Sequence, residues 1–234
     1  MGSFKFLGLT FNIANVISIT VTFIIMALIL IIFSRNLKER PKGLQNALEW
    51  LIDFTNGIVK DQLSGDEGSR LGLYAFTLFV FIFISNQLGL FIEISAHGVD
   101  YVHSPTASPI ITFTMAMITL AFAHYLGVKQ KGYKKYLSDN YLKPFIAMLP
   151  INIIDEFTNL LTLALRLYGN IYAGEVLVEL LAKMAFSHGW ITIAVSLPLE
   201  MIWQGFSVFI GAIQAYVFVT LSVVYVSQKM LPEE

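Results

Sequence analysis

The chain has 234 residues, 56% of them apolar and 13% charged, with a mean hydropathy of +0.69. That is well above an ordinary soluble domain and reads as an all-α integral membrane protein. The absence of cysteine excludes disulfides and thiolate metal sites. Four scattered histidines without an HExxH give no metal signature, and a net charge of −1 gives no reason to expect nucleic acid.

A spanning helix needs about 20 apolar residues, because about 30 Å of hydrocarbon is crossed at about 1.5 Å per residue. Residues 11–33 (FNIANVISITVTFIIMALILIIF) satisfy this. The run is too long for a signal-peptide core and has no small-residue cleavage site, so it predicts a transmembrane helix. Residues 44–60 place Leu44, Ala47, Leu48, Leu51, Ile52, Ile58 and Val59 on one helical face, with Gln45, Glu49, Asp53 and Lys60 opposite. That pattern predicts an amphipathic helix on the cytoplasmic surface. Residues 71–92 and 107–127 are two further spans. His97, Asp100 and His103, in the loop between them, read as decoration of an exposed segment.

The last two apolar runs, 144–186 and 190–228, are separated only by SHGW. Each is about 40 residues long, on the order of 60 Å as a helix and about twice the hydrocarbon thickness, so both must be steeply inclined. The prediction is five membrane-embedded helices plus the surface helix in a single membrane domain, 1–234, the last two long helices forming a strongly tilted hairpin. Gly169, Gly174 or Pro198 could instead break those runs into ordinary spans. Loops 34–43 and 128–143 carry four and five basic residues while 93–106 carries none. The bias puts the first two in the cytoplasm, the N-terminus outside and the C-terminus inside.

The informative residues are the charges inside these runs. At 100° per residue, Asp155, Asn159, Thr162, Arg166 and Asn170 form one polar stripe, and Glu175, Glu179 and Lys183 fall on another side. In the last run Glu200, Gln204, Ser207, Gly211, Gln214, Ser222 and Tyr225 form a single stripe, which the hairpin should turn towards its partner helix. Asn86 and Gln87 sit within the second span. A charge at the bilayer centre costs roughly 2.5–3.5 kcal/mol, so such residues usually line water or a partner. Arginine, moreover, keeps its proton. The plain readings are a packing ion pair of Arg166 with Asp155 or Glu156, and a self-satisfied Glu175, Glu179, Lys183 series. The functional reading is a fixed cation separating two polar ion paths, with a moving component carrying the ion across the break. An uninterrupted pore would dissipate about 2.3 kcal/mol per charge per 100 mV.

The run LALRLYGNIYAGE, followed by IQAYVFVTLSVVYVS and accompanied by ISNQLGLF and PINIIDEFTNLLTLALRL, resembles the membrane-embedded subunit a of bacterial F-type ATP synthases over most of the chain. The resemblance implies a stator in the plasma membrane beside a rotating ring of c subunits, with a b-subunit peripheral stalk and an F1 ATPase head as further partners. It implies no cofactor and no ATP chemistry in this chain. By motif position Arg166 resembles the family's indispensable arginine, and Asn170 and Gln214 match polar positions beside it. Glu175 matches the acid of the outer half-channel, with Asn86 and Glu179 as further polar candidates. Glu156, next to Asp155, resembles the acid of the cytoplasmic path, at a shorter spacing from the arginine than in some members. Ser207 stands where some members have histidine, leaving water or Glu179 as alternative partners for Glu175. The ion, H⁺ or Na⁺, is left to the ring. A secondary transporter holding an anion on Arg166 is the rival class, but repeated halves and broken helices are not evident. An intramembrane protease would need a metal motif or GxGD aspartates.

Overall fold

The computed structural model describes all residues except 1–2, 7–8, 36–37, 41, 64–65, 92–93, 97–98, 143–147, 186–189 and 231–234. His97, the beginning of the 144–186 run and most of the SHGW turn lie outside the described residues. The chain opens with an antiparallel hairpin, β1 (Ser3–Phe6) and β2 (Leu9–Asn12). It continues through α1 (Ile13–Ser34), α2 (Leu44–Gln62) and α3 (Asp66–Phe91). A second hairpin, β3 (Ile94–Ala96) and β4 (Val99–Val102), and a 3₁₀ turn at Pro105–Ala107 lead into α4 (Pro109–Lys131). A short α5 (Tyr133–Leu137) and a π-turn at Ser138–Leu142 precede the two long helices α6 (Leu149–Ala185) and α7 (Trp190–Met230). The architecture is all-α apart from the two small hairpins.

Local chemistry sets the boundaries. Asn12 caps α1, its Oδ1 accepting the Ala14 amide at 3.1 Å. Pro109 opens α4 at a position where its missing N–H costs nothing. Gly132, at φ 79°, ends it in a conformation that suits glycine. Neither Gly169 and Gly174 nor Pro198 interrupts its helix, so the alternative of broken spans does not hold. At 37 and 41 residues, α6 and α7 are about 55 and 60 Å long. They run antiparallel: Glu156 meets Lys229, Asn170 meets Gln214, and Gly174 meets Trp203.

Among the described residues, four helices are long and apolar enough to cross a membrane: Ile13–Ser34, Leu71–Leu90 within α3, Pro109–Lys131, and Ser196–Met230 within α7. The polar and charged residues of α6 keep it out of that set. Alanines 75, 116, 123, 164 and 215, all fully buried, stand in the shared core of α3, α4, α6 and α7. Small residues at these positions let backbones approach, as they must where lipid removes the hydrophobic drive between helices.

Helix α2 packs against α3 and the end of α7, where Ser227 Oγ donates to the Gln62 carbonyl at 3.0 Å. Gln45, expected on its polar face, is buried. Its amide donates to the Lys38 carbonyl at 2.8 Å and accepts the Lys38 N–H at 2.9 Å, so two backbone bonds replace water.

Candidate functional site

On α6 the stripe of Asp155, Thr162, Arg166 and Asn170 faces outward, with Asn159 half-buried. Large apolar side chains stand exposed beside it, among them Phe157 and Leu165 on α6 and Phe206, Phe209, Ile213 and Tyr216 on α7. Among the described residues none forms an ion pair with Arg166. The plain reading of a packing pair with Asp155 or Glu156 therefore fails. Glu156 instead pairs with Lys229. A guanidinium on an apolar face with no internal counter-charge is an expensive arrangement unless something outside the chain supplies the anion.

One helical turn from Arg166, Asn170 donates its amide to Gln214 Oε1 at 2.8 Å. Beyond this bond opens a cavity of about 290 Å³ lined by Asn86, Asn170, Gly174, Glu175, Trp203 and Ser207, with apolar residues between them. Ser207 Oγ and Gln214 Nε2 are buried without a hydrogen-bond partner among the described residues. One water needs only about 10–15 Å³ of such space and two or more polar partners, so the cavity has room and ligands for several. Trp203 Nε1 donates to the Gly174 carbonyl at 3.4 Å and closes one flank.

The far wall is α3. The α7 stripe, expected to face the partner helix, is shared between α6 and α3. Gln214 and Ser207 meet α6 at the bond and cavity above. Gln204 Nε2 donates to the Leu90 carbonyl at 3.0 Å, and α3 reaches the α7 backbone, Asn86 Nδ2 donating to the Gly211 carbonyl at 2.9 Å and Gln87 Nε2 to the Val208 carbonyl at 3.2 Å. Asn86 also accepts from Thr106 Oγ1 at 2.7 Å, and Ser104 Oγ bonds both Thr106 and the Ser85 carbonyl. This buried network fastens the segment before α4 onto α3. His103 belongs to it as well, its backbone amide donating to Ser18 Oγ and its ring bonding Asn15. It is therefore part-buried rather than the exposed decoration expected of it. Gly89 leaves the gap into which Glu175 reaches: a Cβ there would lie 2.6 Å from Glu175 Oε1. Glu179 does not join the cavity. It pairs with Lys183 at 2.6 Å on an exposed helical turn.

A second cluster lies at the opposite end of α6. Lys229 donates to Glu156 Oε1, and His124 Nε2 stands 3.6 Å from Glu156 Oε2. The other ring nitrogen of His124 bonds the Tyr136 hydroxyl, and Lys229 lies over the Tyr141 ring at 5.8 Å. Gly127 makes the approach possible, since a Cβ there would fall 2.6 Å from the Tyr136 ring and 2.9 Å from the Lys229 carbonyl. Asp155, beside Glu156 in sequence, is exposed and outside the cluster. Burial pushes the Tyr136 hydroxyl up to about 12.

A polar cavity and an ion-paired cluster thus lie at different levels of one helix pair, with Arg166 between them. Residues 16–227 match the family model described as ATP synthase A chain. The chain belongs to that family. ATP synthase subunit a of Pediococcus pentosaceus is 52% identical over 100% of this chain and 98% of its own length. That of Limosilactobacillus fermentum is 54% identical over 99% and 98%, and that of Enterococcus hirae 50% identical over 97% and 98%. Membership in the ATP synthase A chain family gives a multi-pass bacterial membrane protein of the CF(0) sector, with a proton-translocating stator role in ATP synthesis.

Of the residues singled out in the sequence, Asn86, Asn170, Glu175, Ser207 and Gln214 come together at the cavity or its inner edge. Glu156 lies in the second cluster, Arg166 between the two, and Asp155 and Glu179 on exposed turns. Sequence reasoning missed Gly89 and Trp203 at the cavity, and His124, Tyr136 and Lys229 at the other end. Gly89 lies inside the quoted ISNQLGLF, but nothing local marks it as the seat of an acid 86 positions on. Lys229 meets Glu156 across 73 positions, a pairing no local pattern encodes.

Proposed function

We propose that the chain is the stator of an Fo motor in which two offset aqueous half-channels load and unload protons on the carboxylates of a rotating c-ring, with Arg166 separating them. The outer half-channel comprises Glu175, Ser207, Asn86, Asn170 and Gln214, with Glu179 paired to Lys183 outside it, and the cytoplasmic one contains Glu156 with Asp155 at its mouth. Helices α6 and α7 cross as an inclined hairpin, making five membrane-embedded helices with α2 on the cytoplasmic surface. The N-terminus is outside and the C-terminus in the cytoplasm of a bacterial plasma membrane. The c-ring covers the outward stripe of α6, and the peripheral stalk b subunits and F1 head complete the machine.

The observation that carries the reading is an exposed Arg166, without an ion pair among the described residues, standing along α6 between the Glu175 cavity and the Glu156 cluster. Glu156 and Glu175 lie ten and nine residues from it along the helix, about 15 and about 13 Å of rise. A ring carboxylate held neutral in lipid loses its proton only where a cation and water stabilise the anion, because desolvation raises a carboxyl pKa and an opposite charge lowers it. Arg166 supplies that cation without releasing a proton itself, and the same charge repels a proton seeking a direct route between pockets. The residues deliver, accept and separate protons; the ring moves them. Arg166→Ala or Arg166→Gln should abolish ATP-driven proton pumping in reconstituted vesicles while the complex still assembles. Normal pumping by the assembled variant overturns the proposal.

A further inference from the structure

The cluster at the α6 start and α7 end holds groups for which the two-pocket arrangement has so far had no use. Glu156 is mostly enclosed, its side chain 17% exposed, as is that of Lys229 at 15%. His124, by contrast, is 32% exposed. The enclosed carboxylate therefore has a titratable, partly wet group against one oxygen and a fixed cation on the other. Histidine is the side chain that exchanges protons near neutral pH.

We propose that the cytoplasmic half-channel ends in a relay in which His124 carries protons between Glu156 and cytoplasmic water, and Lys229 is the positioning residue that holds the Glu156 carboxylate towards it. The inference rests on the reading of Glu156 as the cytoplasmic acid. In the exit direction the proton leaves the Glu156 carboxyl at Oε2 and, because His124 Nε2 stands 3.6 Å away and beyond direct reach, passes through one bridging water, which gives a proton to the Nε2 lone pair as it takes the one from Oε2. This leaves a carboxylate bonded to Lys229 and an imidazolium whose Nδ1–H donates to the Tyr136 oxygen. The imidazolium then gives one proton to water and returns to the neutral ring. Tyr136 suits that place because its hydroxyl, held at about 12 by burial, stays neutral at working pH and can donate to or accept from the ring. The charged and titratable groups facing His124 are Tyr136 from α5, Glu156 from α6 and Lys229 from α7. Lys229 keeps the carboxylate from swinging away once the proton has gone, and its stem lies along Tyr141.

The test uses the whole complex in vesicles, with the cytoplasmic-face and outer-face pH set separately. Removing a positioned acid–base group costs about a hundredfold or more. Because His124 is partly wet, and water can stand in for it, His124→Gln should slow passive proton flow by about tenfold. It should also remove the dependence of flow on cytoplasmic-face pH that a titrating imidazole imposes, and added imidazole should restore both. Lys229→Met should slow flow, and Lys229→Arg should recover it. An assembled His124→Gln complex with wild-type flow and an unchanged cytoplasmic-face pH profile overturns the relay, as does a change that appears only on varying the outer-face pH. Arg166→Gln in the same vesicles, read by ATP-driven pumping, separates the two readings: if it abolishes pumping while His124→Gln leaves flow and its pH profile unchanged, the relay alone fails; if the assembled Arg166→Gln complex still pumps normally, the half-channel reading fails too.

Discussion

Gly89→Ala isolates the geometry of the outer cavity with a single methyl group. Gly89 faces both Glu175 of α6 and Ser104 of the segment before α4. An added Cβ would stand 2.6 Å from Glu175 Oε1, 2.6 Å from Ser104 Cβ and 2.8 Å from the Ser104 amide nitrogen, whereas relaxed carbon contacts lie at about 3.5–4.0 Å. The Glu175 carboxylate ends a flexible side chain and can swing aside. The Ser104 backbone cannot do so cheaply, because its side chain is tied to the Ser85 carbonyl at 2.9 Å and Thr106 at 2.7 Å. Overpacking of this kind costs about 1–3 kcal/mol. Thermal unfolding of the purified complex should therefore begin at lower temperature. If even about 1.4 kcal/mol appears as misplacement of Glu175, proton entry from outside slows about tenfold. Passive flow through ATPase-stripped vesicles, driven from the outer face, measures that entry. Adding Ser104→Gly removes one of the two Ser104 contacts and should recover part of the loss, since contacting sites are coupled. A Gly89→Ala complex with unchanged melting and unchanged flow would refute the argument that this gap seats Glu175.

Further outcomes follow from the same geometry. Glu175→Gln should slow proton uptake from the outer face, whereas Glu179→Gln, whose carboxylate pairs with Lys183 away from the cavity, should leave flow within about twofold, as exposed pairs contribute little; equal losses in the two variants would contradict the placement. Burial holds the Tyr136 hydroxyl at about 12, above the ordinary 10. The folded chain thus retains this proton more tightly than the unfolded chain, and the resulting stabilisation is complete below pH 10 and is lost as pH rises from about 10 to about 12. A difference titration of phenolate absorbance between wild type and Tyr136→Phe should show one step near pH 12; a step near pH 10 would contradict the burial.

Membrane character and family were legible in the sequence for a physical reason. Hydrocarbon must be crossed by helices that satisfy their own backbone, so a mean hydropathy of +0.69 and long apolar runs are readable without knowing what packs on what. An arginine inside such a run stands out on energetic grounds alone, and LALRLYGNIYAGE carried the resemblance with it. The polar side of α7 was also visible as a period, since Gln204, Ser207, Gly211 and Gln214 recur at helical spacing, but a period does not name a partner. The stripe proved to have two partners, α6 at Ser207 and Gln214 and α3 at Gln204 and Gly211.

Tertiary structure alone decided the rest. It took Glu156 from Arg166 and gave it to Lys229 and His124. It buried Gln45 on two backbone bonds, and it turned His103 from a loop residue into a fastening between α1 and the segment before α4. It also left Glu179 on an exposed turn while seating Glu175 in the gap at Gly89. Apart from the Gln45 bonds, seven positions apart, and the Glu179–Lys183 pair, four apart, these outcomes depend on contacts between residues tens of positions apart. Helical periodicity is a property of one segment and specifies which side chains share a face; it carries no information about which helix that face will meet.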